Sequence, residues 1–247
     1  MRVTGMGCGI FRIGLTVAIC VGTPSSAFAQ QKVVGDAAAV VRYVEGVTGP
    51  DVRKIKVSDN IFFDDQIITR EDSASKIHFP DDTYLTVGPN SRVTIDAFVY
   101  DPDSQNSKMV VNATLGVARF VTGRMGSAAY QIRTPTTTIG VRGTVLTVTV
   151  AQDGTTSAIV EDGSIEAQGQ VGDPVVVEEG LSTTVKPGKQ ASDPAPPDAD
   201  VESDVANMDI MLLLDGGDQG GNDAVSDDEL AAIVEEVEQT RAAGCGC

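Results

Sequence analysis

The 247-residue sequence contains no tryptophan and a single histidine, and aromatic residues make up only 4% of it. His78 alternates with Ile77 and Phe79, so we place it on the polar face of a strand. One histidine cannot form a multi-histidine metal site, and no Gly-x-Ser-x-Gly segment marks a hydrolase nucleophile. Basic residues are also scarce, with 18 lysines and arginines against 35 acidic residues. Such a charge disfavours contact with nucleic acids and anionic lipids. These shortages argue against an enzyme and against a nucleic-acid-binding protein.

Long apolar runs are absent except near the N-terminus. Arg2 and Arg12 precede an apolar run at residues 13–21, and residues 27–29 read Ala-Phe-Ala. This pattern predicts a secretory signal peptide over residues 1–29, because its apolar run is too short to span a bilayer well. Its removal leaves 16 basic against 35 acidic residues, a net charge of −19. We therefore predict a periplasmic or secreted protein with no transmembrane anchor in the mature chain.

Short β-type runs alternate with turn signals between residues 37 and 185, and no helical pattern separates them. Pro80-Asp81-Asp82, Leu115-Gly116, Asp153-Gly154 and Asp162-Gly163 are examples of these turn signals. The predicted strands include residues 40–44, 61–68, 76–79, 84–87 and 182–185. Asp64-Asp65 lies in the middle of the second of these strands, and a turn role is preferred for it. The spacing predicts an all-β domain over residues 30–188, a mainly antiparallel β-sandwich or roll. A β-solenoid is the alternative, since its successive turns would give similar spacing.

The domain is organised around residues 131–150. Thr134-Pro135 interrupts one strand, and a strictly alternating strand ends this stretch. Gly140 and Gly143 flank Arg142, which predicts a corner where the chain crosses between layers of the sheet. For Arg142 we expect a stem packed at this corner and a guanidinium bonded to buried carbonyl or acidic partners. A contact to a ligand anion is the alternative.

These residues resemble a known family. Thr134-Pro135, followed by residues 139–144 (Ile-Gly-Val-Arg-Gly-Thr), resembles the TP…VRGT signature of the FecR family domain. Residues 77–93 and 116–120 are similar to two further blocks of that family, with departures at Asp82, where glycine is common, and at Leu146, where an aromatic residue is common. The resemblance implies an extracytoplasmic all-β module without known catalysis, whose best-known members are membrane-bound regulators of sigma factors. The motif residues are Thr134, Pro135, Gly140, Arg142, Gly143 and Thr144.

Beyond the β-domain the sequence becomes acidic. Residues 189–225 are predicted to be a Pro- and Gly-rich linker, and residues 226–247 a short amphipathic helix with a Cys-Gly-Cys tail. An apolar run at residues 208–214 is expected to dock on the β-domain or on a partner. Cys245 and Cys247 form either a frayed tail or a thiol pair with a redox, metal-binding or intermolecular role.

Calcium is the one cofactor that the C-terminal region suggests. With Asp218 as position one of an EF-hand loop, Asn222, Ser226 and Glu229 fall at positions five, nine and twelve. Gly220 at position three and Asp223 at position six break the pattern. We therefore prefer a solvated linker and expect no cofactor, with calcium as the alternative.

Two functional interpretations follow. The first is a non-enzymatic exported FecR-like module that contacts a protein partner in envelope signalling or assembly. The second is a calcium-dependent secreted or surface structural protein. Direct control of a sigma factor is not expected, because a cleavable signal stands where membrane-bound members have a cytoplasmic segment and a transmembrane helix.

Overall fold

The computed structural model describes residues 31–101, 106–126 and 128–198, and these residues form β-strands without any helix. The prediction of an all-β fold is confirmed. The 14 strands are β1 Val33–Val41, β2 Val44–Thr48, β3 Asp51–Ile55, β4 Asn60–Phe62, β5 Gln66–Thr69, β6 Ala74–His78, β7 Tyr84–Val87, β8 Arg92–Val99, β9 Lys108–Val121, β10 Tyr130–Arg133, β11 Thr137–Val150, β12 Thr156–Gly169, β13 Val175–Glu178 and β14 Ser182–Val185.

All of these strands belong to one hydrogen-bonded sheet. The sheet has two halves, and three long strands run from one half into the other. The first half of β9 lies between β8 and β10, and its second half lies between β7 and β11. The first half has the order β3-β2-β5-β8-β9-β10-β11-β12-β13. The second has the order β4-β1-β6-β7-β9-β11-β12-β14. Thus β9, β11 and β12 run through both halves.

The two halves enclose a common apolar core. Phe79, which follows β6 in one half, lies with its ring centroid 5.3 Å from that of Phe98 on β8 in the other half. One cluster of buried side chains draws on strands of both halves. Among the described strands only β9 and β10 pair in parallel, whereas the neighbours in a β-solenoid are parallel throughout. The arrangement therefore fits the predicted sandwich or roll and not the solenoid alternative.

Each long strand changes which of its residues face the core where it passes from one half to the other. In β11 the buried apolar side chains are odd-numbered up to Val141 and even-numbered from Leu146 onward, and the pairing register shifts between them. Because side chains alternate strictly along a strand, one extra residue is needed to keep the same side toward the core. Gly143 supplies this bulge with φ +61°, and Gly116 in β9 and Gly163 in β12 have φ +82° and +83°.

The structure corrects three local predictions of the sequence pattern. Gly116 and the Asp162-Gly163 pair were expected to separate short strands, but each lies within one continuous strand that bends. The expected strand at residues 61–68 is divided into β4 and β5, and Asp64-Asp65 takes the preferred turn role between them, with Asp64 at φ +64°. The expected strand at residues 40–44 breaks at Arg42, which has φ +57°. A positive φ interrupts the extended backbone, and the sequence pattern does not reveal it.

Pairing with the domain continues beyond Gly188, the predicted domain end. Ala191 pairs with Val185, and Ala195 pairs with Ser182, so this segment lies along the outer edge of β14. The predicted signal peptide, the remainder of the acidic linker and the C-terminal helix lie outside the described residues. Within the described ranges, no helix has the length and apolarity to cross a membrane.

Candidate functional site

The Thr-Pro step of the FecR-like motif is held by a cluster of threonine hydroxyls. Thr136 Oγ1 donates to Thr156 Oγ1 at 2.8 Å, and Thr156 Oγ1 donates to Thr134 Oγ1 at 2.8 Å. Thr134 Oγ1 also accepts hydrogen bonds from the backbone N–H groups of Thr136 and Thr137. Pro135 is exposed at the centre of this turn and donates no hydrogen bond. The cluster fastens the start of β11 to the start of β12, which gives these threonines a structural role.

The corner of β11 is held by Thr144 and by two glycines. Thr144 N donates to Thr122 Oγ1 at 2.8 Å, and Thr144 Oγ1 donates to the carbonyl of Ser164 at 2.8 Å, so this buried residue links β11 to β9 and β12. A Cβ on Gly143 would meet no atom within 4 Å, whereas a Cβ on Gly163 would lie 2.2 Å from the carbonyl oxygen of Gly143. The corner predicted between layers is therefore present. Glycine is required at position 143 because of its backbone conformation. At position 163 a Cβ would also overlap with a backbone atom.

Arg142 lies on the solvent side of this corner, and the prediction that its guanidinium has buried partners is wrong. Its side chain is 62% exposed, and Nη2 lies 3.0 Å from Oε2 of Glu166 on β12. Arg142 points outward in the regular alternation of the first half of β11, in which Val141 points to the core, and the bulge at Gly143 follows it. Exposed ion pairs contribute little to stability, because water screens them. Arg142 thus has the expected acidic partner but not the buried setting.

An open groove of about 710 Å³ lies over the outward face of β10, β11 and β12. Residues 106–108, 128 and 129 form its sides. Gly140 lies on its floor, in an ordinary extended conformation, and the nearest atom to a Cβ there would be Glu166 O at 3.9 Å. Neither packing nor backbone geometry demands glycine at this position, and its missing side chain deepens the groove. The polar and charged residues of the floor are Gln131, Thr138, Arg142, Glu166 and Gln168.

The lone histidine belongs to a surface cluster on the other half of the sheet. The His78 ring stacks on Tyr84 with centroids 4.9 Å apart. Its Nδ1 lies 3.4 Å from Asp36 Oδ1, and its Nε2 lies 3.5 Å from Asp82 Oδ1. With a side chain 31% exposed, His78 lies on the partly exposed polar face that the alternation predicted. Both ring nitrogens face carboxylates, and no hydroxyl or thiol nucleophile is among these contacts.

A second network, which the sequence pattern did not reveal, surrounds the fully buried Asp81. Asp81 Oδ2 accepts hydrogen bonds from Thr83 Oγ1 at 2.6 Å and from Tyr130 Oη at 2.7 Å. Tyr130 Oη in turn accepts from the backbone N–H groups of Gly123 and Met125. Burial, together with Asp81, raises the pKa of Tyr130 to about 12. The network ties the β6–β7 turn to β10 and to the segment after β9, and it leaves no oxygen of Asp81 open for catalysis.

The departure from the family pattern at Asp82 has a visible consequence in this turn. Asp82 adopts φ +64°, a conformation that glycine adopts without strain and aspartate tolerates better than most residues. Its carboxylate also lies 2.8 Å from Nε of Arg124. The frequent glycine of the family at this position is therefore explained by the backbone, and the substitution by aspartate keeps the turn.

Asp65 is a second fully buried acid, and it is neutralised by Arg53. The carboxylate accepts from both terminal nitrogens of Arg53, from Thr48 Oγ1 and from the N–H of Phe62. The bonds to Asp65 and its negative charge raise the pKa of Arg53. A buried charge needs such compensation, so this pair fixes the β4–β5 turn against the β2–β3 hairpin.

Metal binding finds no support in the described ranges, where no group of three His, Cys, Asp or Glu side chains is arranged to hold an ion. The candidate calcium ligands Asp218, Asn222 and Glu229 lie outside the described residues. The thiol pair Cys245 and Cys247 does as well.

Comparison with known proteins links the motif segment to a family. Two crystal structures of a protein described as a candidate anti-sigma factor from Parabacteroides distasonis ATCC 8503 are similar to this chain at 16% identity, with TM-scores of 0.44 and 0.45. Each alignment covers 56% of this chain and 62% of the other chain. No curated protein matches the sequence. Residues 65–166 match the family model described as FecR protein. This match confirms the resemblance carried by the motifs, all of which lie within residues 65–166.

Proposed function

We propose that this chain is an exported, non-enzymatic FecR-type module that acts through protein contacts in envelope signalling or assembly. The observation that carries the proposal is that some residues of the motif stabilise the fold whereas others do not. Thr134, Gly143 and Thr144 serve the fold, whereas Gly140 and Arg142 line the open groove. Residues with no part in packing are free to serve recognition, and loops and faces held by a rigid scaffold are common contact sites.

The acid–base groups of the domain support a non-enzymatic role. Asp81 and Asp65 are buried and their carboxylate oxygens are occupied by internal donors. His78 lies between two carboxylates and has no nucleophile among its contacts. A general base needs access to a substrate proton and a group to activate. The groove itself offers amides, hydroxyls and an Arg142–Glu166 pair, which suit the polar rim of a protein interface.

The test is photocrosslinking in living cells of the source organism. A photoreactive phenylalanine analogue replaces Thr138 or Gln168 on the groove floor, and Glu71, in the exposed turn before β6, provides the control position. We expect the two groove positions to crosslink the same envelope protein and the control position not to do so. Equal crosslinking at all three positions, or none at the groove, would contradict the proposed contact.

A groove-filling variant sharpens this test. Gly140→Phe places a large side chain on the floor at a position where a Cβ comes no closer than 3.9 Å to another atom, and Gly140→Ala is the matched small substitution. The phenylalanine variant should lose the crosslink while the alanine variant keeps it, and both should melt close to the parent. Transcript and envelope-protein profiles of a deletion strain then separate signalling, which alters a defined set of transcripts, from assembly, which alters the envelope proteins.

A further inference from the structure

Two cations lie in one row across the outward face of the sheet. β10 pairs with β9 on one side and with β11 on the other, so that Ala129, just before β10, is level with both Lys108 and Arg142. Lys108 and Arg142 are therefore two strands apart, with about 10 Å between their Cα atoms. Their neighbours Met109 and Val141 are buried in the core, so both cations point outward, where they line the groove.

Most of the hydrogen-bonding groups of these two cations have no partner among the described residues. Arg142 Nη2 lies 3.0 Å from Glu166 Oε2, and no other hydrogen bond joins this guanidinium to a described residue. Lys108 Nζ forms no hydrogen bond or ion pair with the described part of the chain. A guanidinium has five N–H donors and an ammonium has three, so the two side chains have donors left for a carboxylate.

The acids of this face lie on the other side of Arg142. The same row continues from Arg142 across β12 to Glu178 on β13, and Glu166 lies on β12. The space over Ala129 therefore has a cation on each of its two sides, whereas the β12 and β13 end of the face is acidic. Gly140, two residues before Arg142 on the same face, adds no side chain to this space.

The negative charge of the whole chain does not cancel this local attraction. The chain has a net charge of −17, which repels an acidic partner at long range. At physiological ionic strength such interactions are screened over about 8 Å, so the nearest side chains decide what binds in the groove. Among the described lining residues these are two cations, Lys108 and Arg142, and one acid, Glu166.

The other groups of the groove favour a peptide as the carrier of the carboxylate. Gln131, Thr138 and Gln168 offer amide and hydroxyl groups that match the donors and acceptors of an extended backbone. Among the described residues that line the groove, Tyr130 alone is aromatic, and its hydroxyl is bonded to the buried Asp81. Tyr130 is itself buried, so the described lining presents no ring on which a nucleobase could stack.

We propose that the groove binds an acidic segment of its protein partner, with a carboxylate held between Lys108 and Arg142 over Ala129. Glu166 holds the Arg142 guanidinium from the β12 side and leaves the remaining N–H groups for this carboxylate. The backbone of the segment lies along the polar floor, over Gly140. This proposal rests on the proposed contact function of the groove and adds the charge that the partner must carry.

Titration of the full chain with a short blocked peptide tests the carboxylate site directly. The probe is acetyl-Gly-Glu-Gly-Glu-Gly-amide, and the same peptide with glutamine in place of both glutamates is the uncharged control. The backbone amide signals of Ala129, Gly140 and Arg142, followed by NMR, should shift on binding. We expect the dissociation constant of the acidic peptide to be about tenfold lower than that of the glutamine peptide. Equal dissociation constants for the two peptides would overturn the proposal.

A pair of matched variants locates the site. Lys108→Gln/Arg142→Gln removes both cations and should raise the dissociation constant of the acidic peptide about tenfold. Lys54→Gln/Lys56→Gln removes the same charge at exposed positions outside the groove and should leave this constant unchanged. All four side chains are exposed, so both variants should melt close to the parent. Parental binding by Lys108→Gln/Arg142→Gln, or an equal loss in both variants, would contradict the proposed site.

Photocrosslinking from Thr138 in cells separates this proposal from the proposed function. A crosslink to an envelope protein that is present in the parent and lost in Lys108→Gln/Arg142→Gln supports both. A crosslink that persists in the double variant shows that the groove contacts a partner without these cations, and it overturns the acidic segment alone. If the parent gives no crosslink but binds the acidic peptide as expected, the proposed function fails and the carboxylate site is supported.

Discussion

The bend shared by β11 and β12 gives the sharpest quantitative prediction, because its two glycines differ in one respect. Gly143 and Gly163 both have positive φ, at +61° and +83°, so alanine at either position would lower the free energy of unfolding by the cost of a left-handed backbone. That conformation costs an L-residue about 1–2 kcal/mol. At Gly143 the added Cβ meets open space, so this is the whole expected cost. At Gly163 the Cβ would lie 2.2 Å from the carbonyl oxygen of Gly143, well inside van der Waals contact.

The overlap at Gly163 cannot be relieved by a side-chain rotation, because the opposing atom belongs to the backbone. Overpacking of this kind adds about 1–3 kcal/mol, so Gly163→Ala should lose about 2–5 kcal/mol in total. Native stability is typically about 5–15 kcal/mol, so this loss is a large fraction of it. Gly143→Asn should cost less than Gly143→Ala, because asparagine adopts the left-handed region more readily.

Urea unfolding followed by circular dichroism measures these differences. Since about 1 kcal/mol shifts the melting temperature of a domain of this size by about 2–4 °C, thermal melts provide a second readout. Gly163→Ala should be the least stable variant, followed by Gly143→Ala and then Gly143→Asn. If Gly163→Ala unfolds at the same urea concentration as Gly143→Ala, the overlap does not carry the cost that its geometry implies, and the reasoning fails.

Four further predictions concern single groups. Arg142→Ala should change the free energy of unfolding by less than about 1 kcal/mol, because its ion pair is exposed; a larger loss in urea unfolding would indicate a packing role at the corner. Asp65→Ala should cost about 3–5 kcal/mol by the same assay, because it leaves the Arg53 guanidinium without its partner in a partly buried site; near-parental stability would contradict this. The raised pKa of Tyr130, about 12 against an ordinary value of 10, means that its contribution to stability is complete below pH 10 and is lost as the pH rises toward 12. Melts between pH 9 and pH 12 should therefore show a decline that Tyr130→Phe reduces, and an identical decline in both proteins would exclude this origin. The signal peptide predicts a mature protein that begins at Gln30 and is recovered from the periplasmic or culture fraction, and an intact mass that retains earlier residues would refute cleavage after Ala29.

The sequence was sufficient where the signal is local. β7 and β14 appear where apolar and polar residues alternate, and the turn between β6 and β7 appears at Pro80 and Asp81. Alternation and turn residues act within a few positions along the chain, so a single sequence exposes them. The FecR motifs could also be recognised in the sequence alone, and they led to the family that residues 65–166 match.

Only the tertiary structure decided what the glycines and charged residues do. Gly163 bends a strand instead of ending it, because its partner across the corner is Gly143, 20 residues earlier in the chain. Asp81 is a buried anchor and not a turn residue alone, because Tyr130 reaches it from 49 positions away. Arg142 faces solvent because it still follows the alternation of the first half of β11, in which Val141 is buried, whereas the alternation counted back from Leu146 would place it in the core; the bulge at Gly143 separates the two patterns. These outcomes depend on contacts between distant segments, which local patterns of residues do not encode.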